Sequence, residues 1–350
     1  MPDERPGQVD SLEGYSSTFP KWWIYRGTGH TAPAGKWDSR WPEAPPARHT
    51  RGTTRREAPD FDNVETQRRF GCRTFAGYRD RGLLNGINVA IALARPLLVT
   101  GAPGTGKSAI AYAIASELGL GRVLRWSLTP TDTLRSGLYE YDLVGHANAS
   151  RTGLNGSVGE FVRLGPVGTA FLGYRRPRVL LLDGIDQTDF DFTCHLLTLV
   201  EDGCFEIPEL VRDGQPEAVV FTADPGVRAS VENGIVTCDA FPLVIITSNG
   251  DRDLPSSFRR RCVEVSLLPP TLEELRIIVD AHFPEQQHPF VDELVHLFVE
   301  HRADDGAPDV EQLLHAIHLF SVSEEMMSDP GQRAEVLSLI WRGPAAREQL

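Results

Sequence analysis

From about Phe61 onward the apolar positions fall into two alternating textures, short unbroken runs and longer stretches with an apolar stripe at helical spacing. The runs at 97–100, 123–126, 179–182, 243–246 and 263–265 are too short for helices and too continuous for half-solvated strands. They predict strands buried on both faces. Several are separated by helical patterns long enough to cross over, such as residues 109–118 ended by Gly119, so an α/β domain with a mainly parallel sheet is expected. After Pro269 and Pro270 the pattern turns wholly helical. Thr271 followed by Glu274 reads as a capping box, and stripes at Phe290, Leu294, Leu297 and Phe298, then at Val310, Leu313, Leu314 and Ile317, place two more helices. One last helix is expected over 334–341. The reading divides the chain into an extended arm (1–60), the α/β domain (61–268), a small helical lid (269–321) and a tail (322–350).

The arm is rich in Pro, Gly, Arg and Trp and shows neither period. Its run Lys21-Trp22-Trp23-Ile24-Tyr25 would be a liability in water and is expected to dock on the folded body or on a neighbouring subunit. Composition narrows the function classes. Lys and Arg number 35 against 48 Asp and Glu, a net charge of −13, which argues against nucleic acid as the partner. The five cysteines (Cys72, Cys194, Cys204, Cys238, Cys262) are dispersed and read as reduced thiols. No run approaches a membrane span and the start lacks a signal-peptide pattern, so a cytoplasmic location is expected.

The strongest chemical signal is a loop. Gly101, Ala102, Pro103, Gly104, Thr105, Gly106, Lys107 and Ser108 stand in the order G-x-x-x-x-G-K-[ST], after an apolar strand and before a good helix. Glycines let such a loop curl so that its N–H groups face a polyphosphate at a helix N-terminus. Lys107 can bridge the β- and γ-phosphates and Ser108 can ligate Mg²⁺. Only three of the 35 basic residues are lysines, and Lys107 is one of them. A compact ammonium among phosphates is a place where a planar guanidinium does not fit.

A second element completes the chemistry. The run from Val179 ends in Asp183, as expected of a strand whose acid holds the Mg²⁺ shell beside the loop. The next residue is Gly184, where many such ATPases carry the glutamate that activates water. Asp186 and Asp189 lie close enough in sequence for one to substitute, Asp186 with a shorter reach than a glutamate. The strand from Leu243 ends near Asn249, which can face the γ-phosphate or the attacking water. Arg259, Arg260 and Arg261 cannot all face one partner. One of them can reach across a subunit interface to a neighbour's phosphate.

This order of elements resembles the AAA+ ATPases, and three stretches narrow the resemblance to the MoxR branch: VLLLDGIDQTD with the downstream FEIPEL, TSNGDRDLPSSFRRRC, and FVRLGPVGTAF ahead of Asp183. Together they cover roughly 75–320. The resemblance implies a parallel sheet in the order 5-1-4-3-2, a helical lid, ATP and Mg²⁺ as ligands, and a homo-oligomeric ring, commonly a hexamer. It implies remodelling of a protein client, often one with a von Willebrand factor A domain. It matches Lys107 and Ser108 to the Walker A positions, Asp183 to the Walker B acid, Asn249 to sensor 1, and Arg260 or Arg261 to the arginine finger. Two departures stand out: Gly184 replaces the catalytic Glu, and the lid stretch 302–309 offers only Arg302 toward sensor 2. Two readings follow, an ATPase with attenuated turnover and a nucleotide-dependent scaffold with little turnover.

Overall fold

Strands buried on both faces pair side by side in parallel when helices cover each crossover, and the five apolar runs do so here. The computed structural model describes residues 19–30, 41–48, 56–60, 63–71, 80–152, 156–283, 289–301, 308–322 and 329–341. In chain order it contains α1 (Asn63–Phe70), α2 (Arg81–Leu93), β1 (Leu97–Thr100), α3 (Ala109–Leu118), β2 (Leu124–Ser127), α4 (Leu134–Leu138), β3 (Tyr139–Tyr141), α5 (Leu143–Arg151), β4 (Val162–Leu164), α6 (Pro166–Ala170) and β5 (Val179–Asp183). Then follow α7 (Phe190–Asp202), β6 (Cys204–Glu206), α8 (Pro208–Asp213), β7 (Glu217–Phe221), β8 (Arg228–Glu232), β9 (Ile235–Thr237), β10 (Leu243–Ser248), α9 (Ser256–Arg261) and β11 (Val263–Ser266). Helices α10 (Leu272–His282), α11 (Pro289–His301), α12 (Val310–Val322) and α13 (Pro330–Ile340) close the described chain.

The first sheet has the order β11-β1-β10-β5-β2, every pair parallel. Counted along the five predicted runs this is 5-1-4-3-2, the P-loop α/β sheet with helices after it. Alternation splits the strands between two cores. Leu98, Leu180, Leu182 and Ile246 face one, and Leu97, Val99, Leu181 and Ile245 face the other against α2 and α3. Strand β2 sits one residue later than its apolar run.

The apolar runs do not announce a second sheet, of order β3-β4-β7-β8-β9-β6. Its strands are short and mostly antiparallel. Residues alternate between core and solvent, as in β7, where Ala218 and Val220 are buried and Val219 is exposed. The β8–β9 hairpin turns at Asn233 and Gly234, both at positive φ (52° and 72°), as a two-residue type I′ turn requires. This sheet is tied to the first by a fully buried ion pair. Arg178, just ahead of β5, donates from Nη1 and Nη2 to the two carboxylate oxygens of Asp224 at 2.8 and 2.9 Å.

The lid has its own core of Leu275, Leu294, Phe298, Leu313, Ile317 and Phe320. Helix α10 starts with the reciprocal Thr271–Glu274 capping box. The last helix begins at Pro330 rather than 334, because Asp329 caps it and proline is well suited to the first turn. No helix among the described residues is long and apolar enough to cross a membrane. Cys194, Cys204, Cys238 and Cys262 are free thiols, and Cys72 lies outside the described residues.

The aromatic run of the arm docks on the body. Trp23, Ile24 and Tyr25 are buried in the α2–α3 core. The Asn88 side chain accepts from the N–H groups of Ile24 and Tyr25 and donates to the Tyr25 carbonyl. Glu117 accepts from the N–H groups of Arg26 and Thr28 and from the Thr28 hydroxyl. Burial pushes the Glu117 pKa up, and these hydrogen bonds counter it only in part. Glu117→Ala removes the acceptor that these part-buried donors share, at a cost of about 1–3 kcal/mol in all. Its expected result is faster tryptic cleavage at Arg26 and a lower denaturation midpoint. An unchanged cleavage rate would show that the contact does not hold the arm.

Candidate nucleotide-binding site

Strand β1 ends at Thr100 and the chain curls through 101–108 before α3 begins. Gly104 has φ +71°, and a Cβ added there would lie 2.1 Å from the Cβ of Asp309 in the lid. Only glycine tolerates both the turn and the approach. A Cβ on Gly106 would meet nothing within 4 Å. The loop is therefore pinched against the lid at one bend and open at the next. Ala102 and Pro103 are exposed, and the Thr105 hydroxyl closes the turn onto the Ala102 carbonyl at 2.9 Å.

Lys107 is buried, and its ammonium donates to the carbonyls of Gly101 and Ala102 at 2.9 and 2.8 Å. Among the described residues no carboxylate makes an ion pair with it. Burial pushes its pKa down, and the more distant charges of Asp186, Asp183 and Asp251 only partly oppose this. A desolvated cation held by two neutral carbonyls is a strong anion receptor.

Asp183 ends β5 at the same place. Its Oδ1 accepts from the Ser108 hydroxyl at 2.6 Å and from the Thr247 hydroxyl at 2.7 Å, and its Oδ2 from Nε and Nη2 of Arg125 at 3.1 and 2.6 Å. Burial alone would raise its pKa. The hydrogen bonds outweigh burial and hold the carboxyl below its ordinary value.

Gly184 adopts φ 86° and ψ 51° and donates its N–H to the Thr247 hydroxyl at 3.0 Å. In this left-handed conformation a glutamate carries strain of about 1–2 kcal/mol, so the backbone here disfavours that side chain. The following 3₁₀ turn, Ile185–Gln187, buries Asp186, which is 5% exposed. Its Oδ2 accepts from the N–H groups of Asn249 and Asp251 at 3.0 and 3.1 Å, and its Oδ1 has no hydrogen-bond partner among the described residues. Asp186 thus orders the turn that carries Asn249. Asp189 serves as the N-cap of α7, accepting from the Phe192 N–H at 2.6 Å.

The basic tip sorts itself. Arg259 pairs with Glu264 and Arg261 with Glu201. Arg260 is exposed, and no side-chain partner is found for it among the described residues. Arg95 holds the tip in place by donating to the carbonyls of Arg260, Arg261 and Cys262. Arg302 lies outside the described residues.

Residues 96–262 match the family model of the AAA domain (dynein-related subfamily). This stretch is similar to AAA domains. The match takes in the loop, Asp183, Asn249 and the basic tip and stops short of the lid, just under half of the chain. A solved structure of a threonine-to-valine variant of Thermotoga maritima RuvB is 13% identical and covers 80% of this chain and 70% of that chain, with a TM-score of 0.38. No curated protein matches the chain.

Three residues that contact the glycine loop or Asp183 are not singled out by the sequence. Thr247 lies in the polar end of β10, two residues before Asn249. Arg125 occupies the outward position of an alternating strand, a weak signal. Asp309 shares a reciprocal cap with Gln312, each side chain accepting from the other's N–H, so a cap pattern was there to be read. Its place against Gly104 was not. Among the described residues no group of three or more His, Cys, Asp or Glu could hold a metal. The Ser108 hydroxyl and the Asp183 carboxylate are hard oxygen donors that fit Mg²⁺, which keeps several waters and takes its remaining ligands from phosphate.

Proposed function

We propose that this chain is a MoxR-like AAA+ ATPase that binds Mg-ATP at the loop 101–108 and couples binding and hydrolysis to remodelling or maturation of a partner protein. The observation that carries this reading is Lys107, a buried ammonium without a carboxylate partner, at the mouth of a glycine loop that is open at Gly106. A triphosphate supplies the charge that the two carbonyls cannot. Mg²⁺, held by Ser108 and Asp183, would offset phosphate charge as the terminal group leaves. The chain's own residues supply the rest: Lys107 binds the phosphates, Asn249 orients the attacking water, and Asp186 accepts its proton on the free Oδ1. Arg260, rather than the paired Arg261, reaches the phosphate of a neighbour in a homo-oligomeric ring, a hexamer in this reading. The client is a protein, with a von Willebrand factor A domain protein the first candidate, and the setting is cytoplasmic.

One observation favours the second reading, a nucleotide-dependent scaffold with little turnover. Gly184 lacks the base, and its left-handed backbone disfavours the glutamate that would restore it. Asp186→Asn separates the two. The amide oxygen can still accept from Asn249 and Asp251, while the free oxygen is lost. For the ATPase, ATP turnover is expected to fall about a hundredfold or more with ATP affinity unchanged, since a general base ordinarily contributes about 10²–10⁴. Wild-type turnover of ~1 s⁻¹ or faster, which is ordinary for enzymes, excludes the scaffold. No measurable wild-type turnover alongside tight ATP binding excludes the ATPase.

A further inference from the structure

We infer that Arg125 is a counter-cation built into the nucleotide site: it holds the Asp183 oxygen that a magnesium shell would use, and so makes nucleotide binding by this chain nearly independent of Mg²⁺. The inference rests on the nucleotide-site reading above and concerns how that site balances its charge.

A carboxylate offers about four lone-pair directions on its two oxygens. All four on Asp183 are taken by protein donors: Ser108 and Thr247 on Oδ1, and two nitrogens of Arg125 on Oδ2. These donors are not equally free to leave. The Ser108 hydroxyl can rotate. The Thr247 hydroxyl is oriented by the Gly184 N–H, from which it accepts, so its proton points at Asp183. The Arg125 guanidinium holds Oδ2 through two nitrogens at once.

The sheet fixes the pair. Strand β2 runs parallel to β5 with Arg125 opposite Leu181 and Ser127 opposite Asp183. Leu124 and Trp126 turn into the core below, which sends Arg125 to the same face as Leu181, Asp183 and the start of α3. Among the described residues Asp183 is the only carboxylate with which Arg125 is seen to pair. The guanidinium borders a cleft of about 370 Å³ that is also lined by Arg68 and Arg122. The cleft's one acid, Glu65, is already engaged by Arg69 at 3.0 Å. With its charge balanced and Oδ2 occupied, Asp183 adds little to the affinity for an ion that Ser108 and the phosphates can still hold, and a guanidinium beside the metal position opposes that ion further.

The test is ADP binding by calorimetry, once with Mg²⁺ and once with EDTA, in wild type, Arg125→Gln and Arg125→Lys. Wild-type affinity is expected to differ less than threefold between the two buffers. Arg125→Gln removes the charge, and its affinity with Mg²⁺ is expected to exceed that with EDTA tenfold or more. Arg125→Lys keeps the charge and should behave as wild type does. A tenfold or greater Mg²⁺ effect in the wild type overturns the inference without recourse to a variant, as does an Arg125→Gln ratio equal to that of the wild type. The nucleotide reading itself fails only if the wild type binds ADP in neither buffer, an outcome that overturns both.

Discussion

Lys107→Ala is expected to weaken ATP and ADP binding by a hundredfold or more while leaving the nucleotide-free protein as stable as before, or slightly more so. Both halves follow from the same environment. In the nucleotide-free chain the ammonium is desolvated and held only by the carbonyls of Gly101 and Ala102, so folding gains little from it. A bound polyphosphate meets that charge in a site with little water to screen it, where a charge-assisted hydrogen bond is at its strongest. Thermal unfolding with and without nucleotide measures the two together. A ligand at 100 times its Kd stabilises the native state by about 2.7 kcal/mol, and that increment should vanish in the variant while the ligand-free midpoint stays put. A full nucleotide-induced shift in Lys107→Ala would remove the basis of the site. A large loss of ligand-free stability would mean that the lysine is part of the fold and not a receptor.

The largest effect on stability is expected at Arg178 and Asp224. Both are almost wholly buried, and the guanidinium makes a two-pronged bond to the carboxylate, donates to the Arg122 carbonyl at 2.9 Å and lies 4.9 Å over the Tyr174 ring. Removing either partner leaves a buried charge without its counter-ion. Each single substitution, Arg178→Met or Asp224→Leu, is expected to cost about 3–5 kcal/mol. The double variant should be much less destabilised than the sum, because no orphaned charge remains. Urea denaturation of the three variants reads the coupling. Additive losses would show that the pair contributes nothing beyond its separate contacts. The pair joins residues 46 apart in sequence and fastens the second sheet to the first, so these variants are also expected to loosen the second sheet preferentially, as amide exchange would report.

What could be read from the chain alone followed from local rules. The apolar runs are buried on both faces, and unbroken hydrophobicity is the direct mark of that, so the five parallel strands were legible. The glycine loop was legible because its chemistry needs particular residues at consecutive positions. The second sheet was not, although Asn233-Gly234 between alternating segments is a strong hairpin signal. Strands of three to five residues with one wet face resemble loops when only continuous runs are counted.

The residues around Asp183 mark the boundary between the two kinds of knowledge. That a strand ends in an acid beside a phosphate loop is a statement about neighbours in sequence, and the chain carries it by itself. That the acid is saturated by Ser108, Thr247 and Arg125, that Asp186 rather than Asp189 turns inward, and that the lid brings an aspartate against Gly104 are consequences of strand register, of one left-handed glycine and of helix packing. Those join residues up to about 200 positions apart through hydrogen bonds only ~3 Å long and through equally close packing. No local pattern encodes separations of that kind, because each depends on where every intervening element has come to rest.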